Sequence, residues 1–245
     1  MANYHFDLSV ISRGKGRSLT RHANYITGQT LRDDWNQTSY YWHRPDVLYC
    51  GVLLPDTAPS EYRDLQFLCS KMELAEKRWD ARTGREIKAS LPNELPLQEN
   101  IRIVKEYVQT NFLSRNLCVI AAIHAGENER DPQRNNPHVH MILSTRTLGM
   151  DGFSAKKDRA LDRTANMRLW RKQWALVQNE AYERNNLALH VDHESLEVQG
   201  IYRTPTRYQQ QREWQKQRQM QDNNGHRKTR NLGQDEQRHK IRIVR

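Results

Sequence analysis

Apolar and polar positions along this chain follow two periods, one near two residues and one near three and a half, and the changes between them mark out its elements. Residues 3–11 alternate and predict a first strand, which enters the basic loop Ser12-Arg13-Gly14-Lys15-Gly16-Arg17. Ser18 then offers an N-cap oxygen, and Leu19, Ala23 and Ile26 follow at helical spacing until Gly28. Residues 31–46 are polar and aromatic without a period and read as loop, while Tyr49 to Leu54 reads as a short strand or packed loop. Pro59 and Ser60 are expected to open a long amphipathic helix through about Arg82, ended by Thr83-Gly84, with Arg85 to Leu91 as the next strand. Pro96 to about Leu113 is again helical. Two apolar runs follow, Leu117 to Ile123 and then Val139 to Leu143, and both predict strands. A basic loop from Thr147 to Arg163 leads to a helix over about 164–183, and 190–205 look irregular. No internal repeat is present. The order predicts an α/β or α+β fold whose centre, if the last two strands form a hairpin, is antiparallel.

The two late strands carry the chemistry. His124 ends the first, and His138 and His140 lie two apart in the second, so both of the latter project from one strand face. Antiparallel pairing across the polar, Pro-containing connection would bring the third ring to the first two. Any one of these histidines is ordinarily a solvated or hydrogen-bonded side chain, and an H-x-H pair alone can be coincidence. The third ring on the preceding strand points to a borderline divalent cation with coordination positions left open. An open site acts on a substrate instead of stapling a fold.

Composition narrows the substrate. The 245 residues are enough for one sizeable core, with 36% hydrophobic and 28% charged residues. No apolar run approaches the roughly 20 residues that span a bilayer, and the opening segment lacks a signal-peptide pattern. Cys50, Cys69 and Cys118 are odd in number and widely spaced, as buried free thiols of a reducing, cytoplasmic compartment would be. The net charge of +10 and pI near 9.6 point to a polyanion. Residues 201–245 hold 12 Lys/Arg against 4 Asp/Glu, whereas residues 1–200 hold 27 against 25. The expected division is therefore a folded domain over 1–205 and a basic, Gln-rich tail over 206–245, partly helical or disordered.

A metal site on a basic protein invites phosphodiester chemistry, which needs a nucleophile. Tyr25 lies on the first helix beside its apolar stripe; it either attacks, given a nearby base or cation, or merely packs at the helix edge. In Arg85-Glu86-Ile87-Lys88-Ala89-Ser90-Leu91, Glu86 shares a face with Lys88 and Ser90. It could orient a metal-bound histidine, accept a proton from the phenol, or pair at the surface with Lys88 or Arg85.

Five stretches carry a resemblance to a known family. They are Ala2-Asn3-Tyr4-His5; the Ser12-to-Gly28 segment ending Ala23-Asn24-Tyr25-Ile26-Thr27-Gly28; Arg85 to Leu95; Ile123-His124-Ala125-Gly126 with Asn136-Pro137-His138-Val139-His140-Met141; and His190 to Ile201. In these and in their order the chain resembles the MobA/MobL (MOBQ-type) relaxases, HUH-fold nicking enzymes that start conjugative transfer of plasmid DNA. The resemblance implies an HUH relaxase-type fold with a mainly antiparallel central sheet flanked by helices. It implies that Tyr25 attacks the scissile phosphate of single-stranded DNA at an origin of transfer, leaving a 5′-phosphotyrosine and a free 3′-OH, and that the strand is later rejoined. It assigns His124, His138 and His140 to a Mg²⁺ or Mn²⁺ ion and the motif carboxylate to Glu86, with Glu94 the weaker candidate. Three imidazoles by themselves suit Zn²⁺ or Mn²⁺ better than Mg²⁺. The partners implied are accessory mobilisation proteins and the coupling protein of a type IV secretion channel, with possible translocation of the protein with its DNA.

Arg13, Lys15 and Arg17 are candidate phosphate contacts beside Tyr25, and Lys156, Lys157, Arg159 and Arg163 form a second candidate wall. Tyr40, Tyr41 and Trp42 could stack unpaired bases or pack within their loop. Two rival functions remain. A rolling-circle initiator of the same superfamily is disfavoured because there the histidine pair usually precedes the tyrosine helix. A non-cleaving nucleic-acid-binding module would use the histidines for a structural metal.

Overall fold

In the computed structural model, which describes residues 4–132, 135–195 and 197–202, the strongest sequence signal becomes the centre of a sheet. The run before His124 forms β6 (Val119–His124) and the H-x-H segment forms β7 (His138–Leu143), paired antiparallel with His124 opposite His138. β7 pairs on its other edge with β5 (Arg82–Ser90), and β5 with β1 (Phe6–Ser12). The far edge is β4 (Val47–Leu53) beside β6. The order is β1-β5-β7-β6-β4, and every pairing is antiparallel. The chain divides after His193. In the second unit, residues 194–245, the described part holds a turn in which the Gly200 N–H donates to the Glu197 carbonyl. The domain end expected at 205 and the tail over 206–245 lie outside the described residues, as does the opening Ala2-Asn3.

Alternation along each strand gives the sheet two different faces. Val139, Met141 and Leu143 join Ile87 and Ala89 under α3 (Leu97–Asn111) and α4 (Thr164–Arg184). The seam between these helices is aromatic, with Tyr107 edge-on to Trp174 at 4.9 Å and Phe112 to Trp170 at 5.2 Å. Burying rings of this size contributes roughly 2–3 kcal/mol apiece from apolar area. The opposite face packs Ile120, Ala122 and Ile142 under α1 (Leu19–Thr27) and α2 (Leu65–Leu74). α1 starts and stops where the sequence predicts. Ser18 caps the Arg21 N–H, and Gly28 ends the helix in a left-handed conformation at φ +69.

Three expectations are corrected. The long helix predicted from Pro59 to Arg82 is instead a 3₁₀ turn at Ser60–Arg63, the shorter α2 capped by Asp64, and a loop, and β5 already begins at Arg82. Tertiary pairing ends the helix. Arg13 takes the carbonyls of Glu73, Glu76 and Arg78, while the buried Glu76 carboxylate is held by Arg146 and Lys157. The segment 31–46 is not all loop, since β2 (Leu31–Asp33) and β3 (Thr38–Tyr40) form a hairpin whose turn is built on the Asp33 carboxylate. The basic loop after residue 147 contains a further small hairpin, β8 (Leu148–Gly149) and β9 (Gly152–Phe153). Cys69 and Cys118 are buried free thiols, and Cys50 is half-buried. Among the described residues no helix is long and apolar enough to cross a membrane.

Candidate active site at the histidine cluster

The β6–β7 register assembles the cluster. His124 and His138 are direct cross-strand partners and His140 follows two residues on, so three imidazoles leave the α1/α2 face together. Their ring centroids are 4.7, 5.2 and 5.3 Å apart, and one nitrogen from each lies within 4.8 Å of the others. The connecting loop is closed by the Asn136 N–H donating to the Gly126 carbonyl at 2.9 Å. Gly126 is required there: its φ is +57, and a Cβ would meet the Asn136 oxygen at 2.0 Å.

Each ring has a second partner that fixes its orientation. His140 Nδ1 donates to Glu86 Oε1 at 2.6 Å, His138 Nδ1 to the Asn136 carbonyl at 2.8 Å, and His124 Nε2 to the Ile26 carbonyl at 2.7 Å. These bonds leave Nε2 of His138 and His140 and Nδ1 of His124 as acceptors; the last faces Arg44 Nη2 at 3.1 Å. Burial pushes all three pKa values below the ordinary imidazole range, so the rings are neutral near pH 7, the form that ligates a metal. Three neutral imidazoles with oxygen-held second nitrogens fit a divalent cation, and the donor set suits Mn²⁺ or Zn²⁺ better than Mg²⁺.

Glu86 is where the sequence suggested a choice of roles. Its Oε1 is taken by His140; its Oε2 lies 2.8 Å from His22 Nε2 and 3.4 Å from the Ser9 hydroxyl. Burial acts to raise its pKa, but the hydrogen bond from His140 and the His22 ring beside Oε2 outweigh it and hold the carboxyl well below its usual range. With both oxygens engaged, Glu86 is built as an orienting anion. The surface pair with Arg85 is not formed, because Arg85 pairs with Asp162. Glu94 lies on the other face of the sheet, against Tyr182 of α4.

Tyr25 projects from the last turn of α1 and is 40% exposed. The ring of Trp42 stands edge-on to it at 5.5 Å, and the guanidinium carbon of Arg44 sits 4.6 Å from its centroid. Its chain neighbour Ile26 supplies the carbonyl that holds His124, so the turn carrying the phenol is hydrogen-bonded to the triad. Trp42 is 51% exposed beside it, available for stacking, whereas Tyr40 bonds back to Asp33.

The basic residues distribute differently from the sequence reading. Arg13 is corrected: its side chain is 5% exposed, paired with Glu73 at 2.6 Å and stacked 3.5 Å over Trp35. It holds the loop after α2 and offers no phosphate contact. Lys15 and Arg17 are exposed and precede α1, whose first residue, Leu19, lies about 9 Å of helix rise from Tyr25. Lys156 and Lys157 line a cavity of about 1150 Å³ with Lys77, Arg78, Arg82 and Arg146, at the end of β5 away from His138. Lys157 there pairs with Glu76, while Lys156, Arg159 and Arg163 are exposed.

Sequence reasoning missed His22, Arg44 and Asp46. His22 was findable, because it precedes Tyr25 by three residues and shares its helix face. Arg44 and Asp46 flank Pro45 in a stretch without periodicity, and nothing local distinguishes them.

A sequence model of the MobA/MobL family matches residues 17–209. Over an alignment of 249 positions the chain is 28% identical to a probable mobilization protein MobA of Bifidobacterium longum, covering 84% of this chain and 43% of that protein. It is 30% identical over 237 positions to the conjugal transfer protein TraA of Agrobacterium fabrum, covering 84% of this chain and 21% of that one. The chain thus spans less than half the length of either relative. Among solved structures it is similar to one described as the molecular basis of vancomycin resistance transfer in Staphylococcus aureus, with TM-score 0.71 and 26% identity over 79% of this chain and 100% of that one. TrwC, solved with a 27-mer DNA comprising the recognition hairpin and the cleavage site, shares the fold at 13% identity and TM-score 0.50, over 78% of this chain and 73% of that one.

Proposed function

The chain belongs to the MobA/MobL family, and from that premise we propose that it is a relaxase domain that nicks and rejoins single-stranded DNA at a plasmid origin of transfer. One observation carries the reading: the helix turn bearing Tyr25 is hydrogen-bonded through Ile26 to His124, with Arg44 spanning the phenol ring and that histidine. A phenol, a cation and a cluster of neutral imidazoles on one sheet face suit attack on a phosphodiester better than structural metal binding.

In this reading the Tyr25 oxygen attacks the scissile phosphorus. An O–P bond forms, the P–O3′ bond breaks, the phenolic proton leaves to solvent, and the departing oxygen is protonated to a 3′-OH. The product keeps a phosphodiester linkage at the tyrosine, so the return attack by a 3′-OH is feasible. A divalent ion held by His124, His138 and His140 would polarise the phosphate and offset charge that develops in the transition state. Glu86 fixes the His140 ring and anchors His22; Trp42 offers a face to an unpaired base. Lys15, Arg17, Lys156, Lys157 and Arg163 would follow the DNA backbone away from the nick, contributing salt-dependent affinity without sequence choice. Accessory mobilisation proteins and a secretion coupling protein are the further partners this role implies.

The test is a cleavage assay on labelled single-stranded oligonucleotides from the DNA flanking the protein's own coding region, with and without Mn²⁺. Wild type should give a covalent adduct that survives denaturation, and Tyr25→Phe should give none. Tight binding without an adduct, on an origin shown to be nicked in cells, would favour the non-cleaving module.

A further inference from the structure

Arg44 is not accounted for by fold or triad alone. Its Nε and Nη2 meet the two carboxylate oxygens of Asp46 at 2.8 and 2.7 Å, which fixes the plane of the fork. The second Nη2 hydrogen faces His124 Nδ1 at 3.1 Å, the nitrogen that would turn to an ion when the three histidines hold one. That leaves Nη1, whose nearest partner is the Tyr25 carbonyl at a long 3.5 Å. Of the five N–H donors of a guanidinium, the pair on the Tyr25 side is therefore the uncommitted one. The cation also lies over the Tyr25 ring face, and its pKa is raised first by the hydrogen bonds to Asp46 and, against burial, further by the Tyr25 side chain.

The backbone is arranged to keep it there. Gly28 closes α1 against Arg44, and a Cβ at Gly28 would stand 3.0 Å from the Arg44 Cβ and 3.1 Å from its nitrogen. A side chain at that cap would push Arg44 away from the helix end that carries Tyr25. A guanidinium needed only for packing would have no reason to keep donors open between a phenol and an imidazole cluster.

We propose that Arg44 is a catalytic residue of the nicking reaction, its Nη1 donors holding the scissile phosphate beside Tyr25 and its charge stabilising the phenolate released in the return step. The inference rests on the relaxase reading. In the forward direction the O–P bond to Tyr25 forms as the P–O3′ bond breaks, and Arg44 gains a stronger contact as negative charge builds on the phosphate. In the return direction the phenolate is the leaving group and the same cation faces it. No oxidant, reductant or further reactant enters.

The experiment compares wild type, Arg44→Ala, Arg44→Lys and Arg44→Gln in single-turnover nicking at saturating Mn²⁺, with and without guanidinium ion at about 10 mM. Loss of one preorganised donor should slow nicking by Arg44→Ala by about 10²–10³-fold. Affinity for an uncleavable oligonucleotide should change no more than about threefold, because many phosphates share the binding. Added guanidinium should recover at least tenfold of the lost rate, and Arg44→Lys should outpace Arg44→Gln by a similar factor. Nicking by Arg44→Ala within threefold of wild type would overturn the proposal. So would a slow Arg44→Ala that guanidinium does not rescue, or a deficit seen only when Mn²⁺ is lowered below saturation, which would make Arg44 only an orienter of His124. Should Arg44→Ala fail to fold, equal rates for the Lys and Gln variants would overturn it. Absence of an adduct from wild type itself would remove the relaxase reading, and this inference with it, an outcome distinct from all of these.

Discussion

The two faces of the five-stranded sheet are made by the same strands and behave oppositely. Toward α3 and α4 the residues are apolar and the helix seam is aromatic, with Trp170, Trp174, Tyr107 and Phe112 all fully buried. Toward α1 and α2 an apolar patch gives way to three histidines, Glu86, and the buried carboxylates Asp33, Glu73 and Glu76. Each of those carboxylates has fixed partners: Ser18 and Asn36 for Asp33, Arg13 for Glu73, Arg146 and Lys157 for Glu76. One face chiefly supplies burial free energy and buries no charged side chain among the residues named above, only neutral ones such as Asn111 and Gln178 on its helices. The other accepts the desolvation of charged groups because every one is paired, and there the chemistry can be held in place.

That division can be broken most sharply from the apolar side. Trp174→Ala removes a fully buried ring and its Nε1 hydrogen bond to the Ser90 carbonyl at 3.2 Å. The expected loss is about 3–5 kcal/mol in urea unfolding. A loss under 1 kcal/mol would mean that the α3/α4 seam does not hold the sheet. A smaller and different effect is expected across the sheet. Glu86→Gln keeps the shape but loses the charge that anchors both His140 and His22, and should weaken Mn²⁺ binding by about 10–100-fold in calorimetry. Its thermal midpoint should stay close to wild type; unchanged Mn²⁺ affinity would dissociate the carboxylate from the triad.

The gentlest probe is acid. Burial acts to raise Glu76, yet hydrogen bonds from Arg146 and Lys157 carry its pKa below 4.5; Asp33 is likewise carried below 3.8 by Ser18 and Asn36. Because the folded values lie under the unfolded ones, these groups stabilise fully above about pH 4.5, and that contribution is lost as pH falls through the window. The thermal midpoint should drop between pH 5 and pH 3, and Glu76→Gln should flatten the drop while lowering the plateau. A variant that parallels wild type across that range would show that the paired carboxylate does not set acid stability.

Which parts were legible follows from range. β1, α1 with its Ser18 and Gly28 caps, α3, α4 and the two histidine strands all rest on period and capping, which neighbouring residues determine. The clustering of the three histidines was legible for the same reason, since an H-x-H strand and a preceding strand ending in histidine leave one natural register. The long helix drawn from Pro59 to Arg82 failed because its end is set from outside. Arg13, some 60 residues earlier in the chain, binds the carbonyls that another helical turn would have used. The same contact removed Arg13 from the candidate phosphate contacts.

The chain by itself thus determined the family, the antiparallel centre and the meeting of the three imidazoles, because each is carried by residues close in sequence or by a repeating period. Only the tertiary structure decided that Glu86 orients His140 instead of pairing at the surface, that Arg13 is internal, and that Arg44 stands between Tyr25 and His124. Those facts depend on which strands are neighbours and which helix end meets which loop. Hydrogen bonds and desolvation act over a few ångströms of space, and no local pattern records a contact between residues that folding alone brings together.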